Sequence, residues 1–450
     1  MFVACLLRVG RMSDEANYEF IDNQDDLLDL SDLILSLEAE DMIGLDTEFM
    51  RVTCYYPDFS LMQLAILGVN YIVDVWMLEG RVKPLIRALC NTKAAVLTFA
   101  CSEDIELLAH EARRIQCTPV LPQRIYDVQL MLAFCGHSFG RGLNFAVQEF
   151  LGVTLDKECT RSNWTMRPLT PEQLQYSALD VHYLEPLFNT IKKQMSLRNF
   201  EYFCAEMSYI CSQFDKNEDE DEAYLRVPAA GMLNDHELNI LHYLAKERLL
   251  LAQHDNQALN RVITSKAMWQ LARFTPRSKR ELEHRGVRAG TIRQYGDVIL
   301  KWISEARKAP RYENLVIPYD YYAHQRDMQE NFALLKKEIL ERAQGSGLCD
   351  QVLLKKTLLN DYFRAKSLKQ VPLLQQSWRL ELLGPIEVPL EPLNPSPNES
   401  EEHGDESSGD STAASTLSSS SASSTSIGSG ISTLSSPSAK NIATPAFLLD

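Results

Sequence analysis

Two carboxylates lie two residues apart in an apolar run, MIGLDTEFM, that extends from Met42 to Met50. Alternate residues of a β-strand share one face, so Asp46 and Glu48 are predicted to stand side by side. Adjacent carboxylates repel each other unless a cation lies between them. The run therefore predicts either an edge strand that faces solvent or one half of a metal site.

Further acidic positions follow along the chain. Asp104, in TFACSEDIELLAH, lies where an apolar strand gives way to a helix, and Asp127, in RIYDVQ, is an alternative at another strand end. Tyr176 and Asp180 are four residues apart in LQYSALDVHYL, which places a phenol and a carboxylate on one helix face. The ordinary interpretations are a helix cap for Asp104 or Asp127 and a solvated face for the Tyr176 helix.

Four converging carboxylates would require cations, and divalent ions with oxygen ligands meet that need. We therefore predict two divalent metal ions, Mg²⁺ or Mn²⁺, as cofactors. Two such ions about 3.5–4 Å apart hydrolyse phosphodiesters, because one activates water and the other stabilises the leaving oxygen. Tyr176 would orient that water or help to take its proton.

The order of predicted elements indicates an α/β domain. Three strand-like runs between Ile43 and about Trp76 have short joins, which favours an antiparallel meander. Helices and strands then alternate, and helices are predicted through LNFAVQEFLG and PEQLQYSALDVHYLEPLFNTIKKQM, so we predict a mixed sheet flanked by helices over residues 21–212. Residues 1–20 are predicted to be an N-terminal extension, with Met12 an equally plausible start.

The second half of the chain is predicted to be helical. The acidic run DKNEDEDEA, which begins at Asp215, predicts a solvated linker over residues 213–232. Apolar periodicity predicts two small all-α domains, over residues 233–312 and 320–394. The Ser-rich segment 395–450 has too few apolar residues to offset the entropy of ordering, so it is predicted to be disordered.

Charge is distributed unevenly along the chain. The formal net charge is −16, yet the segment from Arg261 to Arg293 carries nine basic residues against two acidic ones, a net charge of +7. This segment predicts either a sequence-independent grip on phosphates or a solvated basic face. The candidate contacts are Lys266, Arg273, Arg277, Lys279, Arg280 and Arg288.

A second candidate nucleic-acid contact lies just before the Tyr176 helix. In RSNWTMRPL, Arg161 and Arg167 could hold a phosphate backbone while Trp164 stacks on a terminal base. The alternative is a packed tryptophan with solvated arginines.

Cysteine usage and hydropathy indicate the compartment. The ten cysteines form no C-x-x-C pair, so neither a zinc knuckle nor a disulfide framework is predicted, and a reducing cytoplasm fits best. The opening MFVACLLRVGRM is too short to span a membrane and has no small-residue cleavage site.

The order of the acids resembles the DEDD exonuclease superfamily, in which D-x-E in the first strand is followed by a later Asp and by Y-x-x-x-D in a late helix. The surrounding sequence resembles that of the ribonuclease D family. The similar stretches are LDTEFMRVTCYYPDFSLMQLA, CSEDIELL, LDKECTRSNWTMRPLTPEQLQYSALDVHYL and SWRLELLG. LNILHYLAKERLLLAQ and MWQLARFTP resemble the helicase-and-RNase-D C-terminal (HRDC) module.

This resemblance implies an RNase H-like fold and 3'-to-5' hydrolysis of RNA that releases nucleoside 5'-monophosphates. It implies that Asp46, Glu48, Asp104 and Asp180 are metal ligands and that Tyr176 orients the water. Structured RNA with a free 3' end, tRNA precursors above all, is the expected partner of a monomeric protein. The alternatives are a DNA exonuclease of the same superfamily and a non-catalytic RNA-binding adaptor.

Overall fold

The computed structural model describes residues 16–51, 53–155, 162–214 and 219–393. Most of the predicted N-terminal extension, Arg161 and the Ser-rich tail lie outside these described residues. None of the helices in the described ranges is long and apolar enough to cross a bilayer.

A six-stranded mixed sheet forms the centre of the first domain. The predicted meander is confirmed, because β2 pairs antiparallel with β3 and β3 pairs antiparallel with β4. The other pairs, β1 with β4, β2 with β5 and β5 with β6, are parallel, which gives the order β1-β4-β3-β2-β5-β6. The strands are β1 (Tyr18–Ile21), β2 (Met42–Met50), β3 (Asp58–Ile66), β4 (Val69–Val73), β5 (Ala95–Thr98) and β6 (Ile125–Asp127).

Eight helices accompany this sheet. They are α1 (Gln24–Ser36), α2 (Lys83–Asn91), α3 (Ser102–Arg114), α4 (Val128–Phe134), α5 (Leu143–Leu151), α6 (Pro171–His182), α7 (Leu184–Gln194) and α8 (Leu197–Phe214). The stretch predicted to be helical from Pro171 to Met195 forms two helices, α6 and α7, because the helix is interrupted at Tyr183. Pro186 explains the break, since proline has no N–H to donate to the carbonyl of His182 and its ring clashes with that carbonyl.

A helical domain with its own core follows. Its helices are α9 (Asp235–His254), α10 (Leu259–Val262), α11 (Ser265–Phe274), α12 (Lys279–His284) and α13 (Ala289–Ala306). The predicted linker is partly wrong, because Glu220–Arg226 forms a 3₁₀ helix whose Ala223, Tyr224 and Leu225 are buried in this helical core. The three apolar residues outweigh the acidic ones around them because burying apolar area is favourable.

The third segment is helical, as predicted, but it has no separate core. Its helices are α14 (Gln329–Ala343), α15 (Lys356–Ser367) and α16 (Ser377–Leu383). Leu335, Ile339 and Trp378 belong to the same buried cluster as Phe134 and Phe203 of the sheet domain. The prediction of an independent second helical domain is therefore corrected, because these helices extend the core of the first domain.

A buried ion pair joins the third segment to the first domain. Arg379 Nη2 of α16 lies 2.5 Å from Glu206 Oε2 of α8, and both side chains are almost fully buried. Trp378 Nε1 donates to the same oxygen at 3.1 Å, and its ring stacks on Tyr202 with the ring centroids 5.4 Å apart. The pair fixes where α16 docks on α8.

We expect Glu206→Ala to lower the free energy of unfolding by about 3–5 kcal/mol, because it leaves the Arg379 charge buried without its partner. Urea denaturation followed by tryptophan fluorescence measures this change. Glu341→Ala is the matched control, since the Glu341 side chain is 60% exposed, and we expect a change within about 0.5 kcal/mol. Equal stabilities of the two variants would contradict this role for the ion pair.

Candidate active site

The central strand and a late helix bring three carboxylates together. Asp46 and Glu48 of β2 and Asp180 of α6 each offer a carboxylate oxygen within 4.8 Å of the other two. All three residues are partly buried. Two of the members come from alternate positions of one strand and therefore share a face of the sheet.

A glycine allows α6 to approach this face of the strand. A Cβ atom at Gly44 would lie 3.0 Å from the carbonyl oxygen of Val181 and 3.1 Å from the Cβ atom of Ala65. Val181 follows Asp180 in α6, and Gly44 precedes Asp46 by two residues on the same face of β2. The missing side chain thus allows the close approach that places Asp180 beside the two strand carboxylates.

Local sequence determines where α6 begins. The side chain of Thr170 accepts a hydrogen bond from Gln173 N at 3.2 Å, and the side chain of Gln173 accepts one from Thr170 N at 3.0 Å. Pro171 occupies the first helical position, where a missing N–H costs nothing. This capping box fixes the start of the helix that carries Tyr176 and Asp180.

Tyr176 lies beside the carboxylates. Its hydroxyl group is hydrogen-bonded to the side chain of Asp180, which lies one helical turn further along α6. Burial, followed by the negative charges of Asp180, Glu48 and Asp46, raises the pKa of the Tyr176 phenol well above its ordinary value. The phenol is therefore protonated at neutral pH and acts as a hydroxyl group.

Asp104 is not one of the three clustered carboxylates. It is buried in the first turn of α3, and its Oδ1 accepts a hydrogen bond from Thr47 Oγ1 at 2.5 Å. Thr47 separates Asp46 from Glu48 in β2, and β2 pairs parallel with β5, the strand that precedes α3. Asp104 is thus connected to the strand that carries Asp46 and Glu48 through a residue that sequence reasoning did not single out.

Asp127 is the cap that the sequence favoured. Its carboxylate accepts from Gln129 N and Leu130 N at the start of α4. The same carboxylate also accepts from Ala100 N at 3.0 Å and Cys101 N at 3.1 Å, in the turn that leads into α3. Asp127 therefore positions the turn before Asp104 and is not a member of the three-carboxylate group.

The predicted nucleic-acid contacts before α6 are corrected for the two described residues. Arg167 is held by Asp74, which is fully buried, with Nε to Oδ2 at 2.5 Å and Nη2 to Oδ1 at 2.6 Å. Trp164 is only 3% exposed, and its ring centroid lies 6.0 Å from that of Tyr176. Trp164 therefore packs beside Tyr176 of α6 and Arg167 anchors the segment that leads into that helix, so neither side chain faces a nucleic acid.

The basic positions of the helical domain face solvent. All six predicted side chains, Lys266, Arg273, Arg277, Lys279, Arg280 and Arg288, are exposed. Lys279 is paired with Asp297 at 2.8 Å, and the Arg273 guanidinium lies 5.1 Å from the centroid of the Trp269 ring. An exposed set of arginines next to an aromatic ring can bind phosphates and stack on a base.

A mixed sheet with carboxylates on its central strand and on a late helix defines a class of 3'-5' exonucleases. Residues 18–196 match the family model described as a 3'-5' exonuclease, and residues 237–303 match the model of the HRDC domain. The predicted RNase H-like mixed fold and the HRDC domain are confirmed.

Known relatives narrow the class. The chain is 32% identical to ribonuclease D of Haemophilus influenzae over 60% of this chain and 67% of the relative. It is 29% identical to ribonuclease D of Escherichia coli over 82% of this chain and 96% of the relative. The crystal structure of the Escherichia coli enzyme superposes with a TM-score of 0.71 at 27% identity, covering 82% of this chain and 96% of that one. The chain belongs to the ribonuclease D family, and the predicted enzyme class, a 3'-5' exoribonuclease, is confirmed.

We expect Arg167→Ala to destabilise the protein by about 3–5 kcal/mol, because the buried Asp74 carboxylate loses its ion-pair partner. Thermal unfolding measures this loss, and Arg87→Ala, which removes an exposed arginine of α2, should leave the stability within about 0.5 kcal/mol. A fully stable Arg167→Ala protein that binds RNA weakly would instead restore Arg167 as a phosphate contact.

Proposed function

We propose that this enzyme removes nucleotides from RNA 3' ends by two-metal-ion hydrolysis, with Asp46, Glu48, Asp104 and Asp180 as metal ligands. The observation that carries the proposal is the set of three carboxylates whose oxygens lie within 4.8 Å of one another. Like charges at this spacing repel each other strongly in a half-buried site. A divalent cation between them converts that repulsion into binding.

The donor set fits Mg²⁺ or Mn²⁺. Carboxylate oxygens are the ligands that these ions prefer, and no sulfur or imidazole belongs to the group. When bound, the ions supply an activated water and stabilise the departing 3' oxygen. Asp46 and Glu48 hold their side of the site on the rigid central strand, whereas Asp180 closes it from α6.

Tyr176 and Asp104 have distinct proposed roles. The protonated Tyr176 hydroxyl, anchored to Asp180, orients the attacking water in the direction of the scissile phosphate. Asp104, in the first turn of α3, is proposed as a further ligand, and Thr47, whose hydroxyl donates to its carboxylate, would fix the orientation of that carboxylate. Attack of the water on the terminal phosphodiester releases a nucleoside 5'-monophosphate.

We infer that the substrate is structured RNA with a free 3' end, with tRNA precursors as the main example. The solved Escherichia coli relative is described as an exoribonuclease involved in structured RNA processing. The acidic site repels a polyanion until cations are bound, so a separate basic surface is needed to hold the RNA. The exposed arginines and lysines of the helical domain supply that surface.

We further propose that the enzyme acts in the cytoplasm as a monomer. Eight cysteines in the described ranges are free thiols, which fits a reducing compartment.

A direct test incubates the purified protein with matched RNA and DNA oligonucleotides that carry a 5' label, with EDTA, Mg²⁺ or Mn²⁺. We expect stepwise shortening of RNA in either metal and none in EDTA. Shortening of neither polymer would support the adaptor alternative, and equal shortening of both would undermine the assignment of RNA as the substrate.

We expect Asp46→Ala to lose more than about a hundredfold in kcat, because it removes a direct metal ligand, and even outer-shell changes cost about 10–100-fold. The metal-free variant should unfold at the same temperature as the wild type or higher, since a repulsive carboxylate is gone. Oligonucleotide shortening and thermal unfolding measure the two effects. Wild-type activity in this variant would show that the metal site is wrongly assigned.

We expect replacement of Arg277, Arg280 and Arg288 by Ala together to weaken RNA binding regardless of sequence. A plot of log affinity against log salt has a negative slope, and each lost phosphate contact makes that slope shallower by about 0.7 for single strands. The slope of the triple variant should therefore be less negative by about two. Filter binding at salt concentrations between low and physiological measures this slope. All proteins in the assay carry Asp46→Ala, so that the RNA is not degraded during the measurement.

The matched control replaces Lys301, Arg307 and Lys308 by Ala, which makes the same charge change at exposed positions of the same domain. The control should keep the wild-type salt slope. If both triple variants lose affinity equally, net charge and not the proposed surface determines binding.

A further inference from the structure

The loop that follows the metal-facing strand lies between two parts of the protein. Residues 51–57 connect β2, which carries Asp46 and Glu48, to β3. One side of this loop contacts α3, the helix that carries Asp104. The other side contacts the end of α9 and the turn after it, in the HRDC domain.

On the HRDC side, a single side chain binds two consecutive backbone amides of the loop. Asn256 Oδ1 accepts hydrogen bonds from Tyr55 N at 3.1 Å and from Tyr56 N at 3.0 Å. Gln253 Nε2 donates to the Tyr55 hydroxyl at 3.3 Å, and the Tyr55 ring packs against the HRDC core. A backbone bond from Ala258 N to Thr53 O, 3.0 Å long, adds a further connection.

On the α3 side, an ion pair and a ring stack hold the same loop. Arg51 Nη1 lies 2.9 Å from Glu106 Oε1, and Arg51 Nε donates to Tyr55 O at 3.2 Å. The Tyr56 ring stacks on His110 with centroids 5.0 Å apart and an interplanar angle of 26°. The loop thus joins the HRDC domain to the helix that carries Asp104.

The end of β2 depends on these contacts because its pairing with β3 is irregular there. The register shifts between Glu48 and Phe49, since Glu48 pairs with Leu61 whereas Phe49 pairs with Phe59. A shift of this kind bends a strand and interrupts its ladder of hydrogen bonds. Pairing resumes only for the last two residues of the strand, Phe49 with Phe59 and Met50 with Asp58, so the loop that follows shares in fixing the strand beyond Glu48.

We propose that the HRDC domain is a structural part of the exonuclease active site, and that Asn256 is the positioning residue through which it orients the end of β2. The inference rests on the proposed role of Glu48 as a metal ligand. Asn256 has a φ of +47°, in the left-handed region that asparagine tolerates better than most residues. This backbone conformation turns its carboxamide oxygen to the two loop amides. The HRDC domain then has a second task besides binding RNA.

Two substitutions separate the hydrogen bonds from the backbone conformation. Asn256→Gly keeps the left-handed conformation and removes the acceptor, whereas Asn256→Asp keeps an acceptor oxygen at the same place and tolerates the conformation. We expect Asn256→Gly to lower kcat by about tenfold or more while KM and RNA affinity stay within about twofold, since small misplacement of reacting groups is costly. Asn256→Asp should retain a kcat close to that of the wild type.

A second readout follows the loop itself. Hydrogen exchange of the amides of Tyr55 and Tyr56, measured by mass spectrometry on metal-free protein, should accelerate in Asn256→Gly and not in Asn256→Asp. The basic triple variant of the HRDC domain should instead raise KM and leave kcat and exchange unchanged. These opposite signatures distinguish positioning from RNA binding within one domain.

The inference is overturned if Asn256→Gly exchanges faster but retains the wild-type kcat, because the loop would then be irrelevant to the chemistry. It is also overturned if Asn256→Asp loses as much kcat as Asn256→Gly. A wild-type protein that fails to shorten RNA would refute the proposed function instead, so the two failures are distinguishable.

Discussion

Mutual repulsion of the carboxylates is the constraint on which the rest of the structure depends. Two unit charges 4 Å apart interact by about 1 kcal/mol in water and by about 4 kcal/mol near a protein surface. Asp46, Glu48 and Asp180 form three pairs of carboxylates with oxygens within 4.8 Å of one another, and without cations each pair opposes folding. The surrounding fold must therefore be rigid enough to keep the three groups in place when no metal is bound.

The rigidity comes from buried contacts on the far side of the site. Gly44 lets α6 lie directly on the central strand, so Asp180 cannot retreat without opening the interface between helix and sheet. The ion pair between Arg167 and the fully buried Asp74 fixes the segment that leads into α6. Trp164 fills the space beside Tyr176. The mutually repelling carboxylates are thus held in place by apolar packing and by a buried ion pair.

Local pattern explains which features could be predicted from the sequence. The spacing of the D-x-E pair matches the period of a strand, and the four-residue spacing of Tyr176 and Asp180 matches that of a helix. The positions of these carboxylates could therefore be predicted from the sequence. The interruption of the helix at Tyr183 could also be predicted, because Pro186 is incompatible with a continuous helix. Strand β1, with only four residues, is too short to show a reliable alternation of apolar and polar side chains.

Contacts distant in sequence explain what could not be predicted. Arg167 and Asp74 are 93 residues apart, and no spacing rule distinguishes an arginine that binds a buried carboxylate from one that binds phosphate. The ion pair of Glu206 with Arg379 spans 173 residues, so the apolar face of α16 could equally have belonged to a separate domain. Burial decides both cases, and burial depends on the tertiary fold.

The HRDC domain combines a long-range interaction, the charge of its exposed arginines, with a short-range one, the hydrogen bonds of Asn256. Its exposed arginines, proposed to bind RNA, would act through charge, which extends about 8 Å in physiological salt and weakens as salt is added. Asn256 acts through hydrogen bonds between neutral groups, which need direct contact and depend little on salt. Rising ionic strength should therefore release RNA without displacing the loop beyond Glu48. A domain attached by charge alone could deliver the 3' end, whereas the proposed contact of Asn256 with the loop after β2 would also let the domain adjust the site that receives it.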